Sequence, residues 1–331
     1  MDPALREGVG KPERGATKNR TRSATRIRFD GQRQREHRAA RGEGNSTLRV
    51  IGGAVLTAFS AALLAAGPVT IRFQAMVGDK KLACGEYYEG IGTTQSRITP
   101  HDFRFYVHNI RLIDEKGAAV AIELDQDGKW QLDNLALLDF EDATGACANG
   151  TPETNDRVTG MVPDGKYTGL QFSVGVPFNM NHTELTSQPP PLNLTAMAWV
   201  WNAGRKFMRL DFASTGVPRG FAIHLGSTGC TPNETKTTVP TDCSEPNRPE
   251  VDLAGFDPAQ DMAVVDLAAL LKDSNVDVNQ ENTPAGCMSG PEDGDCAPIF
   301  ANLGLPFDGK AARKQTVFRK QALTEPPADT H

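Results

Sequence analysis

Two tryptophans and a histidine stand close together in the sequence and could form a redox or metal site. Two of the three tryptophans, Trp199 and Trp201, are two positions apart and follow Met197. Side chains of an extended segment alternate between faces, so these three residues are expected to share one face. His224 lies between Ile223 and Leu225, and its side chain is expected to point away from the apolar row. This arrangement favours redox or metal chemistry over hydrolysis.

His182 and His224 are the candidate metal ligands. His182 follows the end of a predicted strand, and His224 lies within another. Two imidazoles with a third soft donor would suit copper, because imidazole binds copper and sulfur ligands favour Cu(I). Two histidines on different strands more often form a hydrogen-bonded structural pair, so both interpretations stay open at this point.

Other motifs are less specific. Asp125-x-Asp127-Gly128 begins like a calcium loop but lacks the later acidic ligand. We interpret it as a hairpin turn, with a structural calcium ion as the alternative. The sequence has no G-x-S-x-G, no H-E-x-x-H and no phosphate-binding glycine-rich loop. It therefore predicts a binding protein and not an enzyme.

The cysteines predict disulfide bonds. An even number of cysteines in an exported chain favours disulfides over free thiols, and six allow 15 pairings. Proximity in the sequence favours Cys230–Cys243, Cys287–Cys296 and Cys84–Cys147. No C-x-x-C pair is present, which argues against a thiolate zinc site or thioredoxin chemistry.

The N-terminal region differs from the rest of the chain. Of 35 basic and 41 acidic residues, 13 and 6 lie up to Arg49, so the remainder carries a net charge of −13. An acidic body argues against nucleic-acid binding. We predict a basic disordered extension over 1–47 that a start codon downstream of Met1 would explain. A signal peptide over 48–67 and a single domain over 68–331 follow it. An uncleaved signal anchor is the alternative; cleavage would leave no stable membrane span.

The body of the chain predicts an all-β fold. Alternating or β-rich segments separated by turn residues are typical of an antiparallel β-sandwich, here elaborated by long disulfide-tied loops. Only 135–140 and 267–272 look helical, 273–308 looks like a loop, and 315–318 is a candidate final strand. The predicted strands cover 69–77, 103–112, 119–124, 170–176, a Trp strand at 197–201, 206–212, 220–225, 251–257 and 262–266.

Many of these segments together resemble one family. The chain is similar to the MbnP-type proteins associated with methanobactin, also called metallo-mystery-pair four-Cys proteins, over roughly residues 69–318. The matching stretches are 102–107, 137–141, 172–178, Asn181-His182, 191–193, Met197-x-Trp199-x-Trp201, Lys206-Phe207, 224–230, Cys243, 246–248, 287–289 and Cys296.

The resemblance implies a periplasmic β-sandwich that works with a dihaem partner. That partner is a cytochrome c peroxidase/MauG-like protein, which oxidises a tryptophan of its substrate protein to kynurenine, and copper is then held by kynurenine and histidine. Carried over to this sequence, His182 and His224 become the copper ligands, with Cu(I) favoured. Trp201 or Trp199 becomes the oxidised residue. Arg205 stands where a tyrosine is expected, so a tyrosine electron relay is in doubt.

The leading hypothesis is therefore an exported copper-binding protein that serves copper acquisition, storage or delivery. A periplasmic ligand- or carbohydrate-binding sandwich is the alternative, in which the tryptophans stack on a sugar and the histidines are structural. A copper oxidoreductase is a third hypothesis, and it would require turnover without the haem partner.

Overall fold

A computed structural model describes residues 65–148, 150–199, 203–231 and 239–323. They belong to one compact unit. The predicted extension, the predicted signal peptide up to residue 64, and Trp201 lie outside the described residues. The first strand begins at Ala66, inside the range predicted for the signal peptide.

The described elements are mostly short strands. The strands are β1 (Ala66–Val77), β2 (Lys80–Lys81), β3 (Tyr88–Ile91), β4 (Ser96–Asp114), β5 (Ala119–Ala121), β6 (Glu123–Leu124), β7 (Gln131–Leu132), β8 (Leu135–Asp139), β9 (Arg157–Pro163), β10 (Tyr167–Val174), β11 (Met208–Ser214), β12 (Phe221–Leu225), β13 (Thr228–Thr231), β14 (Asp242–Glu245), β15 (Glu250–Ala254), β16 (Asp261–Asp266), β17 (Gly286–Cys287) and β18 (Phe318–Ala322). The helices are α1 (Phe178–Asn181), α2 (Leu267–Leu271) and α3 (Cys296–Leu303), and a 3-10 turn covers Thr195–Met197.

In the described part of the chain the strands form three sheets. The smaller of the two main sheets has the order β18-β16-β1-β9-β6, with β2 beside β1. The larger has the order β15-β10-β4-β11-β12-β17, and β3, β5, β7 and β8 extend it. β13 and β14 form a separate hairpin. The predicted all-β, sandwich-like fold is confirmed.

Aromatic side chains from both main sheets meet in the core. Phe73 and Phe318 come from the smaller sheet, and Phe105 and Phe172 come from the larger one. Their rings meet edge to face at centroid distances of 5.4–6.2 Å, a favoured geometry for aromatic pairs. The alternation of apolar residues along β1, β4 and β10 therefore buries one face of each sheet against the other.

The helix predicted over 135–140 is wrong, because Leu135–Asp139 forms β8 and pairs antiparallel with β4. All five residues are buried. The run therefore lacks the alternation of polar and apolar residues that distinguishes a strand from a helix in the sequence. The predicted helix over 267–272 is confirmed as α2, whose first turn is capped by the Asp266 carboxylate.

Two predictions near the C-terminus also need correction. The segment 273–308 is not only a loop, because it contains α3. Pro298 lies in the first turn of α3, where its missing N–H costs nothing, so the proline did not exclude a helix. The final strand is β18, which begins where the predicted strand at 315–318 ends.

Three disulfides join the described cysteines in the pairs that proximity favours: Cys84–Cys147, Cys230–Cys243 and Cys287–Cys296. Cys147, Cys287 and Cys296 are at most 1% exposed. Helices long and apolar enough to cross a membrane do not occur among the described residues.

Candidate metal site

A row of charged side chains crosses one face of the larger sheet. Register places Asp139 of β8 beside Arg104 of β4, Arg104 beside Arg209 of β11, and Arg209 beside His224 of β12. The opposite face of the same strands supplies Phe103, Phe105 and Ile223 to the core. Because side chains alternate along each strand, this pairing register places the charged residues on one face of the sheet and the core residues on the other.

Ion pairs neutralise this layer. Arg104 pairs with Asp102 and lies 3.9 Å from Asp139. Arg209 pairs with Asp102 at 3.1 Å and with Asp211 at 2.6 Å. Burial raises the pKa of Asp139 to about 7, although the charge of Arg104 opposes that shift. The layer can therefore hold a proton near neutral pH.

His224 is held by a carboxylate. Its Nε2 lies 2.7 Å from Oδ1 of Asp211. Burial lowers the pKa of His224, against the opposing effect of Asp211, so the imidazole is neutral at pH 7. Burial alone would raise the pKa of Asp211, but His224 and Arg209 outweigh it and leave the value at about 2. An ionised Asp211 accepts the Nε2 proton of His224 and leaves the lone pair on Nδ1, as in carboxylate–histidine metal ligands.

His182 is buried beside the β13–β14 hairpin. It caps the C-terminus of α1 and is 2% exposed. Its Nε2 lies 3.1 Å from Nδ2 of Asn181, 3.4 Å from Sγ of Cys243 and 3.8 Å from Sγ of Cys230. The possible ligand atoms of His182, Cys230 and Cys243 all lie within 4.8 Å of one another. The two sulfurs form a disulfide, so they are not thiolate ligands in this state.

Arg205 connects the His182 segment to the tryptophan segment. Its Nη1 donates to the carbonyls of Asn181 and Thr183 at 2.7 and 2.6 Å, and these two residues flank His182. Nε and Nη2 donate to the carbonyl of Leu192 at 3.2 and 3.0 Å. Its backbone N–H donates to Oδ1 of Asn181 at 2.7 Å. Arg205 is 2% exposed, so this clamp lies inside the protein.

In its described residues the tryptophan segment is a hairpin, and the predicted strand is wrong where it includes Met197. That Trp201 shares a face with Met197 and Trp199 stays a prediction. Thr195–Met197 is a 3-10 turn, and only an isolated bridge between Ala198 and Arg205 follows. The 3-10 turn breaks the two-residue alternation before Trp199. Met197 is fully buried, Trp199 is half-buried, and Trp201 lies outside the described residues.

Trp199 packs directly on Gly226, two residues beyond His224. A Cβ at Gly226 would lie 2.3 Å from Cη2 and 2.4 Å from Cζ3 of Trp199. Arg205 also joins this contact, because its carbonyl oxygen would lie 3.1 Å from that Cβ. The hairpin is thus tied to His182 through Arg205 and lies against the segment that follows His224.

The Asp125-x-Asp127-Gly128 segment, interpreted from the sequence as a turn, is a turn in which one carboxylate accepts hydrogen bonds from backbone amides. Oδ1 of Asp127 accepts from the N–H groups of Lys129, Trp130 and Gln131 at 2.7–2.9 Å. This pattern is typical of an aspartate-capped turn. The three-donor group noted among the described residues lies elsewhere, at His182.

Sequence reasoning missed Asp211 and Arg209, and it noted Arg205 only as the replacement of an expected tyrosine. The strand 206–212 already alternates apolar Met208, Leu210 and Phe212 with Arg209 and Asp211, and this signal could have identified the partner of His224. Arg205 has no comparable signal, because its partners are 13 to 24 positions away and bind through backbone carbonyls.

The fold and the site together define a sandwich-like, disulfide-bonded all-β protein with two histidines beside a tryptophan hairpin. A family model described as MbnP matches residues 66–289. The chain therefore belongs to the MbnP family. Its structure is similar to that of MbnP from Methylosinus trichosporium, with a TM-score of 0.70 and 32% identity, covering 78% of this chain and 100% of that chain. No curated protein matches the chain significantly.

Proposed function

We propose that this protein is a periplasmic copper-binding protein that a dihaem partner matures by oxidising a tryptophan. It would serve copper acquisition, storage or delivery, and it would be a binding protein and an enzyme substrate rather than an enzyme. The observation that carries the proposal is the Asp211–His224 pair beside a tryptophan hairpin that Arg205 fixes to His182.

The donor set fits copper. Imidazole nitrogen is a good ligand for both copper oxidation states. Asp211 holds His224 in the tautomer that offers Nδ1, and such a partner normally strengthens a histidine ligand. Asn181 donates to Nε2 of His182, and its orientation is fixed because its Oδ1 accepts from Arg205. Nε2 of His182 is therefore the unprotonated nitrogen, and copper would take the place of the Asn181 amide on its lone pair.

The tryptophans would supply a further copper ligand after oxidation. Indole nitrogen is a poor ligand because its lone pair belongs to the ring, whereas kynurenine would offer an arylamine and a carbonyl. Trp199 is half-buried, so electrons could leave the ring towards a haem protein docked outside without direct contact. Trp201 is the other candidate and lies two positions further along the sequence.

The carbohydrate-binding alternative has less support. A stacking platform needs an open ring face, whereas Trp199 is half-buried and its six-membered ring packs against Gly226. His224 is engaged by Asp211 in a buried ionic layer, which a purely sugar-binding module would not need.

Peptide mass spectrometry of protein isolated from its native source tests the proposal. Conversion of tryptophan to kynurenine removes one carbon and adds one oxygen, a gain of about four daltons on a covalently modified residue. The proposal expects this gain on the peptide that contains Trp199 and Trp201, and fragment ions would identify which one changes. Unmodified tryptophans in protein isolated together with its haem partner would overturn the maturation step.

A further inference from the structure

The Cys230–Cys243 disulfide lies directly against the imidazole of His182, a contact that linking two strands does not require. Both sulfurs face Nε2 of His182, at 3.8 Å for Cys230 and 3.4 Å for Cys243. The proposed copper site uses His182 but not these sulfurs. Imidazole nitrogen with two thiolates is a donor set that binds soft d10 cations.

The distances match a shared tetrahedral metal. Zinc bonds are about 2.3 Å to thiolate and 2.0–2.1 Å to imidazole, so a nitrogen and a sulfur on one tetrahedral ion lie about 3.6 Å apart. The two observed nitrogen–sulfur distances, 3.4 and 3.8 Å, bracket this value. Two thiolates on the same ion lie about 3.8 Å apart, so the two sulfurs must be released from their covalent bond before they can both bind it. The nitrogen–sulfur distances already fit.

The backbone would keep the donors together after that bond breaks. Cys230 and Cys243 are directly opposite residues of the β13–β14 ladder, flanked by the pairs Thr228–Glu245 and Thr231–Asp242. Directly opposite residues of an antiparallel pair project to the same face. His182 is held independently, since Arg205 binds the carbonyls on both sides of it.

We propose that reduction of the Cys230–Cys243 disulfide creates a His182–Cys230–Cys243 site for a thiophilic d10 cation such as Zn²⁺. A dithiol reductant supplies two electrons and two protons to the S–S bond and becomes a disulfide itself. The two thiols then lose their protons as the metal binds. Cys230 is half-exposed, which gives the reductant access. This site goes beyond the proposed copper function, because it requires neither His224 nor a modified tryptophan.

Zinc titration of the purified full-length protein against a chromophoric chelator tests this proposal. The titration compares the oxidised protein with protein reduced by a phosphine and kept anaerobic. Losing one ligand should weaken zinc binding by roughly 100-fold or more, since even partners behind the ligands cost 10–100-fold. His182→Ala and the double variant Cys230→Ser/Cys243→Ser remove donors. His224→Ala and Cys84→Ser/Cys147→Ser are matched controls, and circular dichroism verifies folding of each variant.

The expected result is one tightly bound Zn²⁺ in the reduced wild type and in both controls. Oxidised wild type, His182→Ala and the Cys230/Cys243 double variant should lack it. Equal zinc binding before and after reduction, or binding that survives in the double variant, would overturn the proposal, as would the absence of zinc binding to reduced wild type. His224→Ala separates the two ideas, because it should weaken copper binding in the oxidised protein and leave the reduced zinc site intact.

Discussion

Replacing Arg205 by methionine should destabilise the protein strongly, because its buried guanidinium donates hydrogen bonds to backbone carbonyls. Its four hydrogen bonds go to three backbone carbonyls, those of Asn181, Thr183 and Leu192. Burial lowers the pKa of Arg205, which reflects the cost of keeping the charge away from water. Arg205→Met therefore removes a desolvated charge and also leaves buried carbonyls without donors.

The magnitude follows from these opposing effects. Hydrogen bonds to a charged group contribute about 1.5–3 kcal/mol each, so four contribute about 6–12 kcal/mol. Burying the guanidinium costs several kcal/mol. The expected net loss of unfolding free energy is about 3–5 kcal/mol, comparable to removing one partner of a buried ion pair. Arg205→Lys should lose less, since one ammonium can still reach some of the carbonyls.

Equilibrium unfolding in urea, followed by far-UV circular dichroism with the disulfides intact, measures this loss. Arg313→Met is the matched control, because Arg313 also donates to a carbonyl, that of Ala301, but its side chain is 54% exposed. The control should change the unfolding free energy by less than about 1 kcal/mol. A loss of unfolding free energy of less than about 1 kcal/mol in Arg205→Met would refute the stabilising role of these hydrogen bonds.

Three further predictions concern buried groups. Burial lowers the pKa of His108 from 6.5 to about 4, so the stabilisation by its neutral form is complete above pH 6.5 and fades as pH falls. Between pH 7 and 4.5, His108→Gln should therefore lose about 2–3 kcal/mol less unfolding free energy in urea than wild type. Burial raises the pKa of Asp139 to about 7, so its protonated form stabilises the fold below pH 4 and this stabilisation fades as pH rises to 7. Asp139→Asn should flatten that decline, and an unchanged pH dependence of the unfolding free energy in either variant would contradict its prediction. Gly226→Ala should cost about 1–3 kcal/mol by displacing Trp199 and shift tryptophan emission, whereas Gly165→Ala, with its nearest contact at 3.9 Å, should change neither.

Alternation made much of the fold predictable from the sequence. β1, β4, β10 and β12 each place apolar residues at every second position, and this period fixes both the strand and its buried face. β8 was predicted wrongly, because a run that is buried on both faces carries no period. There the pairing with β4 overrides the helix propensity of leucine and alanine.

The site was less predictable than the fold. His182 and His224 could be chosen from residue type and resemblance, and where copper binds stays a prediction. Their surroundings depend on partners brought together by tertiary structure. His224 meets Asp211 across two strands, and His182 meets a disulfide 48 to 61 positions away. Local patterns cannot encode contacts of that range, although they did predict which cysteines pair.

The most direct test of the copper proposal is an anaerobic Cu(I) titration of the disulfide-intact protein, in competition with a chromophoric Cu(I) chelator. Wild type should bind one Cu(I), and His182→Ala and His224→Ala should each weaken binding by roughly 100-fold or more. Asp211→Asn should weaken it by roughly 10–100-fold, because the carboxylate acts through His224. Wild-type affinity in both histidine variants would contradict the account.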